Sequence, residues 1–168
     1  VMLRDSSGYM HEHDGVVVAT HADEALSLLA MPTNEEKSIL GAFSYQMNRA
    51  VVHSDSSLMP RHKSVWSAWN VLSTNNQEAP VSVTYWMNKL QNLTSSKNFF
   101  VSLNPVSEPR IGATERILKY DHPIFDVSAV SAQTKLQMLQ GTGNIWFCGS
   151  YFGYGFHEDA LRSGLEIA

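Results

Sequence analysis

The segment most able to do chemistry is near the end of the chain. A β-type run, Ile145-Trp146-Phe147-Cys148, meets Gly149. Two more glycines, Gly153 and Gly155, break the loop that follows, and the amphipathic stretch from His157 to Gly164 reads as a helix. Glycine has no Cβ, so backbone built from it can approach a ligand closely. A helix start offers unpaired N–H groups and the positive end of a dipole to an anion or a carbonyl oxygen. Strand, glycine loop and helix together are how a protein cradles a nucleotide. The same order also describes an ordinary β-to-α connection, and spacing alone leaves both readings open.

Other chemistry-bearing residue types are less well placed. His11-Glu12-His13-Asp14 has metal-ligand types, but it falls in a hairpin turn without further ligand spacing, so no metal site is expected. Cys148 sits in an apolar run and reads as a small hydrophobe. Asn92-Leu93-Thr94 fits a glycosylation sequon, with nothing else pointing to secretion. No G-x-S-x-G or Ser/His/Asp pattern points to a hydrolase.

The tail Gly155-Phe156-His157-Glu158-Asp159-Ala160, closing at Gly164, resembles the C-terminal flavin-binding motif of the flavin-containing amine oxidase and protoporphyrinogen oxidase superfamily. Segments 16–29, 45–60, 81–90 and 119–140 resemble one subgroup, the bacterial NAD/FAD-binding oxidoreductases. That subgroup is similar to the oxidase-like region of plant cyclopropane fatty acid synthases. The resemblance implies noncovalent FAD, with Gly149 and Ser150 near its ribityl and pyrophosphate groups. It puts the N–H of His157 at the flavin C2 carbonyl, where a helix dipole favours negative charge on the reduced ring. Ala160 fits a helix packed closely on the cofactor, Gly155 the loop beside it, and Thr20 and His21 the adenosine side. His21 reads equally as the start of a helix.

For catalysis the resemblance offers weaker candidates. Phe156 stands where monoamine oxidases carry an aromatic-cage tyrosine, and it also reads as a core ring. Arg49 falls near a lysine that holds a water by the flavin. An arginine there is not an equivalent donor, and it also fits a solvent-facing strand. Tyr85, Trp86 and His122 suit the lining of an apolar pocket with a few polar groups, or simply core and loop. The implied function is an FAD-dependent oxidoreductase with a small-molecule or fatty-acyl substrate. The competing reading is a noncatalytic ligand- or partner-binding module with no flavin of its own.

Composition narrows the field. The chain has 168 residues, 43% hydrophobic and 17% charged, with a formal net charge of −4 and one cysteine. Lysine and arginine are scattered without a basic stripe, so nucleic acid is not an expected partner. One cysteine rules out an internal disulfide and makes a reducing, cytoplasmic setting the expectation. No apolar run approaches the ~20 residues that span a bilayer.

These residues need elements to position them, and the pattern predicts an α+β fold (α/β when complete). A mainly antiparallel substrate-domain sheet with helices is joined to the strand–loop–helix of a Rossmann-like FAD domain. Residues 1–5 and 15–20 read as a hairpin turned at Ser6-Ser7-Gly8. Thr20-x-x-Asp23 and Thr33-x-x-Glu36 read as capping boxes for helices over 22–30 and to about residue 43. Strands are expected over 49–54, 65–72, 81–85, 99–103 and 117–120, a short helix over 87–93, and a helix over 127–140 capped by Asp126 and stopped at Gly141. The domain assignment is 1–40 with 141–168 for FAD and 41–140 for substrate. No G-x-G-x-x-G follows a strand, so the expectation is a C-terminal fragment, inactive alone. Its missing half would be the FAD-binding N-terminal segment, and its exposed apolar face would favour self-association.

Overall fold

The structure is a computed structural model that describes residues 1–72 and 81–167. Residues 73–80, between the expected strands 65–72 and 81–85, lie outside the described residues. In chain order the elements are β1 (Met2–Arg4), β2 (Met10–Glu12), β3 (Val16–Val18), α1 (Ala22–Leu28), α2 (Asn34–Leu40), β4 (Ser44–His53), β5 (Trp69–Leu72), β6 (Ser82–Trp86), α3 (Met87–Leu90), β7 (Phe100–Leu103), β8 (Thr114–Ile124), α4 (Val127–Gln133), β9 (Ile145–Phe147) and α5 (His157–Leu165). The fold is α+β with a mainly antiparallel sheet, as the pattern predicts.

Local chemistry sets several boundaries. Asp5 Oδ1 accepts from the N–H of Ser7 and of Tyr9, and Gly8 takes φ +91°, so the first turn is tight. The hairpin therefore returns at β2, with Leu3 opposite His11. The run at Val16 is not that return strand. It pairs in parallel with β9, Val16 to Ile145 and Val18 to Phe147. Thr33 and Glu36 close a reciprocal capping box at α2, at 3.1 and 2.7 Å. At α1 the cap is His21 rather than Thr20: Glu24 accepts the His21 N–H, while the Thr20 hydroxyl donates to the His21 carbonyl. Asp126 caps α4 through the Ala129 N–H at 2.8 Å. The predicted 127–140 helix ends at Gln133, and its remainder is a 3₁₀ turn at Leu136–Leu139.

The chain divides into two units, Val1–Gln46 with Pro123–Ala168 and Met47–His122. The changeovers fall at 46/47 and 122/123, against 40 and 140 in the sequence reading. The difference arises because Phe43, Ala129, Ala132, Leu136 and Leu139 all join the core of the first unit. Val18, Leu40, Phe147 and Tyr151 complete that core.

The second unit is built on the sheet ordered β5-β6-β7-β4-β8. Register places two apolar rows across four strands, Trp69–Tyr85–Val101–Val52 and Val71–Val83–Leu103–Ala50. Trp69 and Val71 are exposed, and Val83, Tyr85, Val101, Leu103 and Val52 are half-buried. Alternation puts Asn70, Ser82, Thr84, Ser102 and His53 on the other face, and all five are buried. The buried side of this sheet thus carries hydroxyls beside the fully buried Val51 and Phe100.

Most of these polar groups satisfy one another, and the Ser82 hydroxyl alone of the five is buried with no hydrogen-bond partner among the described residues. The Asp55 N–H donates to His53 Nδ1 at 3.2 Å, which leaves Nε2 to carry the proton of the neutral ring. Nε2–H then donates to Ser102 Oγ at 2.8 Å, and Ser102 lies 2.7 Å from Thr84 Oγ1. Asp55, fully buried, takes the Arg110 N–H at 2.7 Å and its guanidinium at 3.0 Å. Burial pushes the Asp55 carboxyl up, but the bonds from Arg110 and Ser57 outweigh this and hold it well below the carboxylate range.

Burial pushes the His53 imidazole below its ordinary value near 6.5, against the pull of Asp55. The unfolded chain thus takes up its proton first, and stability falls as pH drops below that value. We expect the thermal midpoint to decrease between about pH 7.5 and about pH 5.5, and His53→Gln to flatten that slope. Thermal melts at constant ionic strength check both.

Candidate functional site

β3 and β9 run in parallel, so their carboxyl ends point the same way, and the segments leaving them meet. Cys148 N–H donates to the Val18 carbonyl at 3.1 Å. From this edge the chain leaves as Ala19-Thr20-His21 into α1 on one side and as Cys148-Gly149-Ser150 on the other. A Cβ built on Gly149 would lie 3.3 Å from the Thr20 carbonyl oxygen and 2.7 Å from the Tyr151 ring. The crevice outside the carboxyl ends of parallel strands is where open α/β sheets bind ligands. The structure therefore brings together Thr20, His21, Gly149 and Ser150, four residues of the predicted cofactor set.

Side chains from the neighbouring helices hold this segment in shape. Gln140 bonds both backbone groups of Phe147, at 2.8 and 2.7 Å. Ser163, buried on α5, accepts the Gly149 N–H at 2.9 Å. Gln133 donates to the carbonyls of Tyr151 and Gly153. Gly155, at φ +89°, donates back to the Ser150 carbonyl at 3.1 Å. Among the described residues this bonding leaves unpaired the first N–H groups of two helical turns, Ser150 in one and His157 and Glu158 in the other, while Tyr151, next in the first turn, is buried. These are donors aimed at acceptor atoms. Phe156, 57% exposed, and Tyr154, 85% exposed, stand beside them. Ala160 is half-buried on α5. Nothing among the described residues packs within 4 Å of a Cβ built on Gly164, so close packing does not explain that glycine here.

Tyr45, Tyr151 and Cys148 of the first unit are neutral at pH 7. Burial pushes Tyr45 up to about 12, and it pushes Tyr151 and Cys148 up as well. The Tyr45 hydroxyl accepts the Ala22 N–H at 2.8 Å, and the His21 ring stacks on the Tyr45 ring with centroids 4.4 Å apart. The Tyr151 hydroxyl is buried with no hydrogen-bond partner among the described residues. None of these groups is poised as a general base.

The catalytic candidates divide between units. Phe156 belongs to the first, whereas Arg49, Tyr85, Trp86 and His122 belong to the second. Arg49 is held in a two-pronged pair with Glu108, both bonds 2.7 Å. Tyr85 lies in an apolar row, edge-on to Trp69. Trp86 lies on the opposite face, against Trp66, and donates to Asn98. His122 bonds Asn48 at 2.9 Å. Sequence reasoning missed Ser102, His53 and Asp55, which the fold assembles into a superficial likeness of a catalytic triad. The tautomer argues against that role. His53 donates to Ser102 and cannot take its proton, because Nδ1 is already filled by the Asp55 N–H. The only advance signal was polar residues alternating through strands β6 and β7.

A scan against protein-family models finds no match, and a search of curated proteins finds none. Among solved structures the chain is similar to the crystal structure of a CLA-producing fatty acid isomerase from P. acnes, with a TM-score of 0.58 and 12% identity. The alignment covers 98% of this chain and 45% of that one. At that identity the likeness shows a shared fold, spanning less than half of that protein's length.

Gly149 is the position where the cradle has no room. We expect Gly149→Ala to destabilise the chain by roughly 1–3 kcal/mol, because the added carbon would meet the buried Tyr151 ring. Gly164→Ala, entering open space, should change stability little. Paired denaturant melts compare the two.

Proposed function

We propose that this chain is part of an FAD-dependent oxidoreductase whose substrate is apolar and fatty-acyl-like. The observation that carries the reading is the meeting of Thr20 and His21 with Gly149 and Ser150 at the carboxyl ends of the parallel β3/β9 pair. The residues present fit such a group. At Gly149 the backbone passes too close to Thr20 and Tyr151 to carry a Cβ, and the Ser150, His157 and Glu158 N–H groups have no backbone partner among the described residues. Gly149, Ser150, Gly155, Phe156, His157, Thr20 and His21 would hold the cofactor, with Ala160 allowing close approach. When bound, a flavin supplies hydride or electron acceptance that no side chain here provides. The chain's own residues position it. The α5 dipole favours negative charge at the helix start, and Phe156 offers an aromatic face.

The two apolar rows of the second unit support the substrate class. They align apolar side chains across four strands, with Tyr85 in one row and Trp69 and Val71 exposed at one edge. The fold shared with a fatty acid isomerase points the same way. We further propose that the FAD site is completed by polypeptide outside this chain. Two-stranded parallel pairing is rare alone, since parallel sheets are normally covered on both faces, and Val17 of β3 is exposed.

The test is titration of FAD, read by quenching of flavin fluorescence, into this chain and into a form extended at its N-terminal side. We expect strong quenching by the extended form. Failure of both forms would sink the oxidoreductase reading and leave a noncatalytic binding module. In the extended form, Gly155→Val should abolish flavin retention, because residue 155 needs φ +89° and its Cβ would lie 3.0 Å from the Phe125 ring. A yellow, flavin-loaded mutant would refute the placement of this loop.

A further inference from the structure

We propose that Asp159 is the positioning residue of the glycine loop: its carboxylate occupies the N–H groups of Tyr154 and Phe156, and so fixes which N–H groups remain for a ligand. The proposal rests on the flavin reading above for its functional meaning, and on the geometry alone for its structural part.

The start of α5 is unusual in having Phe156 as its N-cap, a residue with no side-chain oxygen to offer. The loop's donors are met from inside the helix instead. Asp159 stands at the third helical position and reaches back, its Oδ2 accepting from Tyr154 N–H and Phe156 N–H, each at 3.0 Å. Its Oδ1 meets the Arg162 guanidinium at 3.1 Å. Asp159 is only 6% exposed, so these bonds are shielded from water. A negative charge is also favoured in the first turn of a helix.

Gly153 supports the same contact independently. A Cβ built there would lie 2.3 Å from Asp159 Oδ1 and 2.4 Å from its carboxyl carbon. The backbone at Gly153 lies at φ −137°, ψ −135°. The approach of the carboxylate leaves no room for a side chain at this position. The loop closes around Asp159, exposes the Tyr154 and Phe156 rings, and leaves His157 and Glu158 N–H open.

The test uses the full chain and its N-terminally extended form with three variants, Asp159→Ala, Asp159→Asn and Gly153→Ala. The first readout is amide hydrogen exchange on the cofactor-free chain. Asp159→Ala should expose Tyr154 and Phe156 while leaving Gly149, held by Ser163, protected. The second is FAD affinity of the extended form. We expect it to fall about tenfold or more in Asp159→Ala and Gly153→Ala, and to recover largely in Asp159→Asn, whose remaining oxygen can still accept both N–H groups. Retained protection at Tyr154 and Phe156 in Asp159→Ala would overturn the proposal. So would unchanged FAD affinity in both Asp159→Ala and Gly153→Ala. If the unmutated protein does not bind FAD, the flavin reading fails, and the exchange readout still decides the role of Asp159. Should Asp159→Ala not fold, Gly153→Ala carries both readouts.

Discussion

The parallel pairing of β3 with β9 is the constraint on which the rest of the first unit depends. It joins Val16–Val18 to Ile145–Phe147, segments from opposite ends of the chain. Closing so long a loop is costly in entropy, and three residue pairs could not hold it unaided. The burial of Val18 and Phe147 with Tyr151, Leu40 and the α4 alanines offsets that cost. Once the pair forms, Thr20 and Gly149 have no freedom to separate. The site is a consequence of this pairing.

The glycine loop shows how side chains can pre-shape a donor surface. Gln133, Gln140, Asp159 and Ser163 bond the backbone groups that face inward. The groups they omit are those a ligand could use. Their positions are held by half-buried Gln133 and Gln140 and buried Asp159 and Ser163, so little ordering remains for binding to bring about.

The second unit solves a different problem. Its buried sheet face carries His53, Ser102 and Thr84, and burying polar groups is tolerable only when they pair. They do, through a directional chain set by the Asp55 N–H. This frees the opposite face to be apolar across four strands. The price of that arrangement is sensitivity to protonation at His53. Its benefit is an opposite face with apolar side chains aligned across four strands.

Local chemistry was legible in the sequence. The Thr33 box, the Asp126 cap, the strand ending at Gly149 and the helix following Phe156 depend on residues within a few positions of each other, and the elements appear close to where those signals lie. Register-dependent features were less legible. The Val16 run looked like the return of a hairpin, because alternation cannot distinguish a neighbouring partner from a distant one. The α1 cap moved by one residue, because Thr20 found the adjacent carbonyl. For the site, the sequence by itself determined which backbone could come close to a ligand, since glycines and helix starts are local properties. Only the tertiary structure decided that Thr20 meets Gly149, that Asp159 fills the loop, and that Ser102 receives a proton from His53 without surrendering one. Those outcomes depend on contacts between residues far apart in the chain, and on which lone pair is already taken.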